Sequence, residues 1–233
     1  MTQPLASSLR YALVPGRFAP DGALELYQAL FEFWHQNWSQ VYKDLGTNKR
    51  PCADDFLRQD WIAALLHEQE VVAIHNYHHY DLRCPCHLKA SYLEQNFTPF
   101  FWSQVKAKGL SQVMSMEALF VSPAWRKAHT GVSLAGVIIA LGQRLFIHQS
   151  PAQALVAPAR KDNPTSALAQ AMGFEIIQAD HPLNNVKVDL LLGQREGLKP
   201  PPCNKVSQLT ESLWAKKESY LPHDFNRPIL RAA

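Results

Sequence analysis

The stretch that decides the fold is residues 120–142, FVSPAWRKAHTGVSLAGVIIALG. A strand-like run ends at Pro123, a basic loop containing Arg126 and Lys127 follows, and an apolar helix comes next. The start of such a helix presents unpaired backbone N–H groups and the positive end of the helix dipole. The loop is therefore suited to hold a phosphate or pyrophosphate, and Gly131 would allow close approach of the backbone. The alternative from this segment alone is an ordinary strand-to-helix connection with a solvated Arg–Lys pair.

The flanking sequence predicts an α/β fold with a single mixed sheet and helices packed on it. Apolar runs bounded by Gly and Pro indicate strands, and apolar residues at helical spacing indicate helices. The predicted strands are 9–16, 71–80, 112–121, 152–159, 174–179 and 186–193. The predicted helices are 21–45 with Asp21 as its cap, 54–66, 97–108, 131–148, 164–172 and one near 205–218.

The domain organisation follows from a change in composition near Arg195. Residues 1–194 are predicted to form one domain, with residues 83–110 as a less regular insertion. The sequence LKPPPC (198–203) interrupts regular structure. Residues 195–233 are accordingly predicted to be a C-terminal appendage, with a Pro-rich link and a short helix.

Composition restricts the class of protein and its partners. The 233 residues are 47% hydrophobic and 18% charged, which argues against a disordered chain. The net charge of +3 and the lack of a basic stripe with aromatics argue against nucleic-acid binding. No charge-free stretch is long enough for a membrane span, and we find no signal peptide. Four cysteines without a framework-like spacing suit a reducing compartment, so the predicted location is cytoplasmic.

Two segments resemble the motifs of the GNAT superfamily of acyltransferases. The first, MEALFVSPAWRKAHTGVSLAGVIIAL, matches a strand ending in Val-x-Pro, then Arg-x-x-Gly-x-Gly, then a helix. The second, ALVAPARKDNPTSALAQAMGFEII, matches the next strand, an Asn-containing loop, a short helix and a Gly-Phe pair. The residues in register are Val121, Pro123, Arg126, Gly131, Leu134, Asn163, Gly173 and Phe174.

The resemblance implies a mostly antiparallel, twisted sheet with a V-shaped splay between its two central strands. It implies an N-acyltransferase, by default an acetyltransferase, that uses acetyl-coenzyme A or another acyl-coenzyme A as donor. The backbone of the strand before the loop would bind pantetheine, and the loop would bind the phosphates. The implied donor-binding residues are Leu119, Phe120, Val121, Arg126, Lys127, Ala128, His129, Thr130, Gly131, Val132, Ser133 and Asn163.

Two positions depart from the family pattern. His129 replaces the first glycine of the loop motif, and Ala169 stands where many members have a tyrosine that protonates the leaving thiolate. A longer acyl group, a carrier-protein donor and a non-catalytic binding domain all stay open as alternatives.

Glu117 is the candidate general base. An amine must be neutral to attack a thioester, so a group must accept its proton, directly or through water. Glu117 is the only acid in the strand 112–121, and burial among apolar neighbours would make it more basic. The alternative is a surface glutamate at a strand end.

The acceptor is left open as a small-molecule amine or a protein amine, and a homodimer formed through sheet edges is possible. The segment IHNYHHYDLRCPCH (74–87) is rich in His and Cys, but its spacing is not typical of zinc sites, so no metal is predicted. Its histidines could line an acceptor pocket. Aromatics at Phe31, Phe33, Trp34, Trp38 and Trp61 are predicted on two early helices, as core or as a frame for the acceptor. Phe97, Phe100, Phe101 and Trp102 could form a lid or a second core.

Overall fold

The computed structural model describes residues 8–221. The outer ends of the predicted domain and tail, residues 1–7 and 222–233, lie outside the described residues. The strands are β1 (Leu9–Val14), β2 (Trp61–His67), β3 (Glu70–Asp81), β4 (Gln112–Val121), β5 (Ala154–Arg160), β6 (Glu175–Leu183), β7 (Val186–Gln194) and β8 (Glu218–Ser219). The helices are α1 (Leu24–Asp44), α2 (Ala53–Leu57), α3 (Pro85–Leu88), α4 (Ser91–Asn96), α5 (Pro99–Ala107), α6 (Lys127–Thr130), α7 (Leu134–Gln149), α8 (Thr165–Ala171) and α9 (Asn204–Ala215).

One mixed, mostly antiparallel sheet of eight strands organises the molecule, in the order β6-β7-β5-β4-β3-β2-β1-β8. Only the β4–β5 and β1–β8 pairs are parallel. Helices α7 and α9 cover one face, and α1 and α2 cover part of the other. The insertion helices α4 and α5 lie on that second face too. In β3, Ile74 packs in the cluster that contains α1 and α2, and Tyr80 packs in the cluster that contains α4 and α5. These two residues point to the same face because their positions in the strand differ by an even number. The α/β fold predicted from the sequence is confirmed.

The two central strands separate partway along their length. Strand β4 pairs with β5 only from Val113 to Ser115, although β4 continues to Val121 and β5 to Arg160. Beyond Ser115 the edge of β4 that faces β5 pairs with no other described strand. This is the predicted V-shaped splay, and it opens the sheet in the middle.

A bulge shapes β4 beside this opening. Ala118 and Leu119 both lie opposite His75 of β3, where the register shifts by one residue. Ala118 has a φ of 53°, a left-handed conformation that is uncommon outside glycine. Its carbonyl accepts a hydrogen bond from the indole of Trp38 at 3.1 Å, which ties the bulge to α1.

The helix predicted over residues 54–66 is wrong. Helix α2 ends at Leu57, and Trp61–His67 form β2 instead. Residues 61–66 are all buried because helices cover both faces of the sheet there, so the strand is a continuous apolar run without alternation. Such a run cannot be distinguished from a buried helix by periodicity alone. Asp21 also does not cap α1, which begins at Leu24 with Ala23 as its N-cap.

The predicted helix 131–148 begins later than predicted, at Leu134, and a separate helical turn precedes it. Residues 127–130 form the single turn α6, which Gly131 ends at a φ of 72°. Helix α7 then begins at Leu134, and the Ser133 hydroxyl accepts a hydrogen bond from the N–H of Gly136 at 3.1 Å. Further along α7, a Cβ on Gly142 would lie 2.3 Å from the Tyr77 hydroxyl, so only glycine lets this helix approach β3 so closely.

The segment after residue 195 packs on the same sheet as far as the structure describes it. Helix α9 buries Val206, Leu209 and Leu213 in the core cluster that contains α7. Strand β8 then pairs with β1 and extends the sheet. The domain boundary at residue 194 stays a prediction, but residues 204–219 share the core of the preceding residues.

Within residues 8–221, no helix is long and apolar enough to cross a membrane. All four cysteines are free thiols in this structure.

Candidate active site

A cavity of about 680 Å³ fills the gap between the separated strands β4 and β5. The bulged half of β4 and residues 157–160 of β5 form its two sides. The start of α7 closes one end, and α1, α2 and the β6–β7 turn close the other. The cavity therefore runs from the basic loop, through the splay, to the early helices.

Most of the residues that the sequence singles out line this cavity. They are Glu117, Leu119, Phe120, Val121, Arg126, Lys127, Ala128, Ser133 and Asn163. The other four loop residues, His129, Thr130, Gly131 and Val132, are not among its lining residues. They form the end of α6 and the turn into α7, and His129 is exposed there.

The loop end combines charge with oriented backbone groups. Arg126 and Lys127 lie at the start of α6, and Ser133 and Ala135 lie at the start of the 16-residue helix α7. The Ser133 hydroxyl caps the N–H of Gly136, whereas the N–H groups of Leu134 and Ala135, two residues that line the cavity, have no partner within the helix. This arrangement can bind an anion such as pyrophosphate. The side chain of Asn163 accepts a hydrogen bond from the N–H of Thr165 at 3.0 Å, which orders the loop before α8.

Glu117 is buried in polar rather than apolar surroundings. The Arg58 guanidinium donates through Nη1 to Oε1 of Glu117 at 2.9 Å and through Nη2 to Oε2. Gln59 Nε2 donates to Oε2 at 3.1 Å, and the Ser115 hydroxyl donates to Oε1. The expectation of apolar neighbours is wrong. Four donors occupy its two oxygens, so a further donor can reach this carboxylate only after one of these partners moves away.

Arg58 is held from several sides and was missed by the sequence analysis. Its Nη1 also donates to the Tyr80 hydroxyl at 2.9 Å, and its guanidinium lies 5.0 Å from the centre of the Tyr92 ring. Asp55 lies 3.7 Å from its Nε. Because residues 54–66 were predicted as one helix, nothing in the sequence placed Arg58 beside β4.

Two tyrosines, Tyr42 and Tyr92, line the cavity and carry no signal in the sequence. Burial, with the charges of Asp55 and Glu117, raises the pKa of Tyr42 to about 12. Burial also raises the pKa of Tyr92. Both phenols therefore stay protonated near neutral pH. Ala169, by contrast, lies buried in the cavity wall and offers no acid.

The His- and Cys-rich segment does not act as one cluster. His75 lines the cavity but is 3% exposed, burial lowers its pKa to about 3, and its Nδ1 lies 3.0 Å from the Tyr77 hydroxyl. His78 and His79 both contact the carboxylate of Asp60, the residue directly before β2. Burial raises the pKa of Asp60, but the hydrogen bonds from both histidines outweigh it and hold the pKa below its usual range.

Cys84, Cys86 and His87 bring potential ligand atoms within 4.8 Å of one another. However, Nδ1 of His87 accepts the N–H of Asp81 at 2.7 Å, which places the proton of the neutral ring on Nε2. In this orientation His87 has no free lone pair for a metal. The two cysteine sulfurs lie 3.0 Å apart at the exposed start of α3.

The aromatic residues divide between core and cavity. Trp34 and Trp38 on α1 line the cavity, whereas Phe31 packs edge-on against Phe56. Trp61 lies on β2 and is not helical. In the insertion, Phe97, Phe101 and Trp102 form part of a second core under α4 and α5, and Phe100 is exposed. Of the two alternatives for the insertion aromatics, the structure favours the core.

Solved structures with this fold include three acyl-transferring enzymes. A CoA-dependent acyl-homoserine lactone synthase, BjaI, with SAM and isopentyl-CoA has a TM-score of 0.56 at 11% identity, with 94% of this chain and 97% of that chain covered. FeeM, an N-acyl amino acid synthase from uncultured soil microbes, has a TM-score of 0.54 at 10% identity, with 82% of this chain and 93% of that chain covered. An agmatine N-acetyltransferase mutant in its apo form has a TM-score of 0.54 at 14% identity, with 80% of this chain and 99% of that chain covered.

No protein-family model matches the sequence, and no curated protein matches it. At these identities the structural likeness establishes the fold alone. It confirms, at that level, the resemblance that the two sequence motifs indicated.

Proposed function

We propose, from the GNAT-type fold that this chain shares with those enzymes, that it is an acyltransferase. It would move an acyl group from an acyl-coenzyme A thioester to an amine by direct attack. The observation that carries the proposal is the cavity in the β4–β5 splay, which joins an anion-binding helix start to a buried polar cluster.

The open edge of β4 supports a pantetheine site. Pantetheine contains two amide groups, and an unpaired strand edge offers N–H and C=O groups to such amides as a neighbouring strand would. Leu119, Phe120 and Val121 line the cavity at this edge. Pairing there would direct the thioester toward the bulge at Ala118.

The loop end supports binding of the donor's phosphates. Arg126 and Lys127 supply full charges, and the N-terminus of α7 supplies N–H groups and the helix dipole. His129 is exposed on the outer side of α6, so its side chain does not crowd the cavity. The substitution of the first motif glycine is therefore compatible with a bound pyrophosphate.

The polar cluster at the other end supports the transfer step. The amine nitrogen attacks the carbonyl carbon, a C–N bond forms, the C–S bond breaks, and coenzyme A leaves as a thiolate. Backbone N–H groups at the β4 edge would stabilise the oxyanion. We propose that Glu117 receives the amine proton on Oε1 through a water molecule, after the Ser115 hydroxyl turns from Oε1 to its other acceptor, the carbonyl of His78 at 3.2 Å.

The experiment is a thiol-release assay on the purified protein. Acetyl-, octanoyl- and dodecanoyl-coenzyme A are each mixed with a panel of amines, and free coenzyme A is measured with a thiol reagent. We expect amine-dependent release with at least one donor, and mass spectrometry should identify the amide. Binding of these donors without release for any amine would contradict catalysis.

A binding domain without catalysis is the second candidate, and Ala169 is the observation that favours it. This residue lines the cavity at the position where the resemblance places a tyrosine acid, and it cannot protonate a leaving thiolate. The same assay can test a carrier-protein donor. In that case free thiol would be released from an acyl carrier protein and not from acyl-coenzyme A.

A further inference from the structure

The loop between α1 and α2 brings a lysine into the wall of the cavity. Lys49 lines the end of the cavity that lies away from the anion-binding loop, together with Tyr42 and Asn184. Its Nζ lies 5.5 Å from the centre of the Tyr42 ring. The residue is half-buried, so its ammonium group is only partly hydrated.

The charges around Lys49 leave it without an anion of its own. The carboxylates of Asp55 and Glu117 act on it electrostatically, but both form ion pairs with Arg58. Within residues 8–221, Lys49 takes part in no ion pair. Burial lowers its pKa, and the Asp55 charge offsets this in part. A partly desolvated ammonium in a cavity wall is stabilised by a counterion, and here the counterion has to come from a ligand.

The loop that carries Lys49 is held in place by hydrogen bonds. The N–H and hydroxyl of Thr47 both donate to the carbonyl of Tyr42, at 3.1 and 3.3 Å. Asn185, in the β6–β7 turn, donates through Nδ2 to the carbonyls of Leu45 and Gly46 at 3.0 and 3.2 Å. These hydrogen bonds connect the α1–α2 loop to the β6–β7 turn across this end of the cavity. The loop that carries Lys49 is therefore ordered before a ligand binds.

The same end of the cavity contains an acceptor for an amine. Oε1 of buried Gln59 has no hydrogen-bond partner among the described residues. A ligand that places an amine toward Gln59 and an anion toward Lys49 would match both groups.

We propose that Lys49 binds a carboxylate of the acceptor, and that the acceptor is therefore an amino acid or another amine that carries a carboxylate group. This inference rests on the proposed function, because it assigns the second substrate of the same cavity. A carboxylate would form a charge-assisted hydrogen bond with the ammonium, and such a bond in a partly buried site selects strongly for its partner.

The test is calorimetry on the protein saturated with coenzyme A, so that it does not depend on turnover. A panel of amino acids is titrated, each beside its methyl ester and its decarboxylated amine, for example tyrosine, tyrosine methyl ester and tyramine. The variants are Lys49→Gln, the conservative Lys49→Arg, and Lys43→Gln. Lys43 is an exposed lysine of α1 that does not line the cavity, so it serves as the matched control.

We expect at least one free amino acid to bind more tightly than its ester and amine. Lys49→Gln should weaken that binding about tenfold or more, the scale of one charge-assisted hydrogen bond, and should leave the ester unaffected. Lys49→Arg should retain much of the binding, and Lys43→Gln all of it. Thermal unfolding of each variant checks that the fold is intact.

The outcomes separate this inference from the proposed function. Amines without a carboxylate that bind and react as well as amino acids would overturn the inference and leave acyl transfer in place. Lys49-dependent binding of an amino acid without thiol release would support the carboxylate site and count against acyl transfer. If no amino acid binds, the inference is wrong, and the thiol-release assay decides the function separately.

Discussion

The pairing of Glu117 with Arg58 changes what the candidate base can do. A strand glutamate among apolar residues would accept a proton readily, but this one has two bonds from a guanidinium and two from neutral donors. The pair fixes the geometry of the polar cluster, and Tyr92 stacks on the same guanidinium. In the proposed reaction Glu117 can therefore accept a proton only after one of these four donors, such as the Ser115 hydroxyl, moves away from its oxygens.

This account predicts the effect of Glu117→Gln. The variant should lower kcat about 100-fold, the usual scale of general acid–base catalysis, because the amide cannot accept the amine proton. The Kd of acyl-coenzyme A should change by less than about twofold, since the proposed donor site lies at residues 119–121 of β4 and at the start of α7. Steady-state kinetics and calorimetry measure the two constants.

Two further variants distinguish proton transfer from a structural role. Glu70→Gln, at the exposed start of β3, is the matched control and should keep wild-type kcat. Arg58→Gln tests whether Glu117 acts only by holding the guanidinium. If Arg58→Gln causes the same fall and the double variant causes no more, Glu117 is a positioning residue and the base is another group. An unchanged kcat in Glu117→Gln would exclude both roles.

Among the elements, the strand β4 and the loop after it were predictable, and β2 was not. Residues 112–121 are mostly apolar and are followed closely by Pro123, and the structure places the strand at these residues. Residues 61–66 are covered on both faces, so their pattern carries no period that separates strand from helix. Because the sequence predicted a helix in place of β2, it gave no indication that Arg58 and Gln59, which lie between α2 and β2, contact Glu117.

The proposed donor-site residues could be nominated from the sequence because one contiguous motif supplies most of them. The proposed acceptor end could not, since it combines Tyr42, Lys49, Arg58 and Tyr92 from separated segments. Only contacts between α1, the insertion and the sheet bring these side chains together. No local pattern in a single sequence encodes such contacts.

The packing of α9 on the sheet can be tested by truncating one of its buried side chains. Leu209 is 5% exposed and belongs to the core cluster that contains α7. Leu209→Ala should reduce the free energy of unfolding by about 2–4 kcal/mol, because it removes buried methyl groups and leaves a cavity. Urea unfolding followed by circular dichroism measures the change.

The control for this prediction is Lys216→Ala, at the exposed end of the same helix, which should alter stability by less than about 0.5 kcal/mol. If Leu209→Ala lowers the free energy of unfolding by less than about 0.5 kcal/mol, residues from 195 onward are an independent appendage after all.

For the molecule as a whole, the splay in the sheet provides one continuous cavity. The splay at Ser115 separates β4 from β5, the start of α7 lines the cavity at one end, and α1 with the β6–β7 turn closes the other. The bulge at Ala118 stands between these ends. In the proposed function, a thioester held by its phosphates and pantetheine would lie in this cavity beside the buried polar cluster.

The most direct test of this account is hydrogen–deuterium exchange of the backbone amides, with and without acetyl- and dodecanoyl-coenzyme A. We predict slower exchange at residues 119–121 and 133–135 when the donor is bound, because its amides and phosphates would take hydrogen bonds from N–H groups in these segments. Exchange across β1 and β2 should be unchanged. Unaltered exchange at both segments, or protection confined to another part of the chain, would contradict the claim that the β4–β5 splay is the donor site.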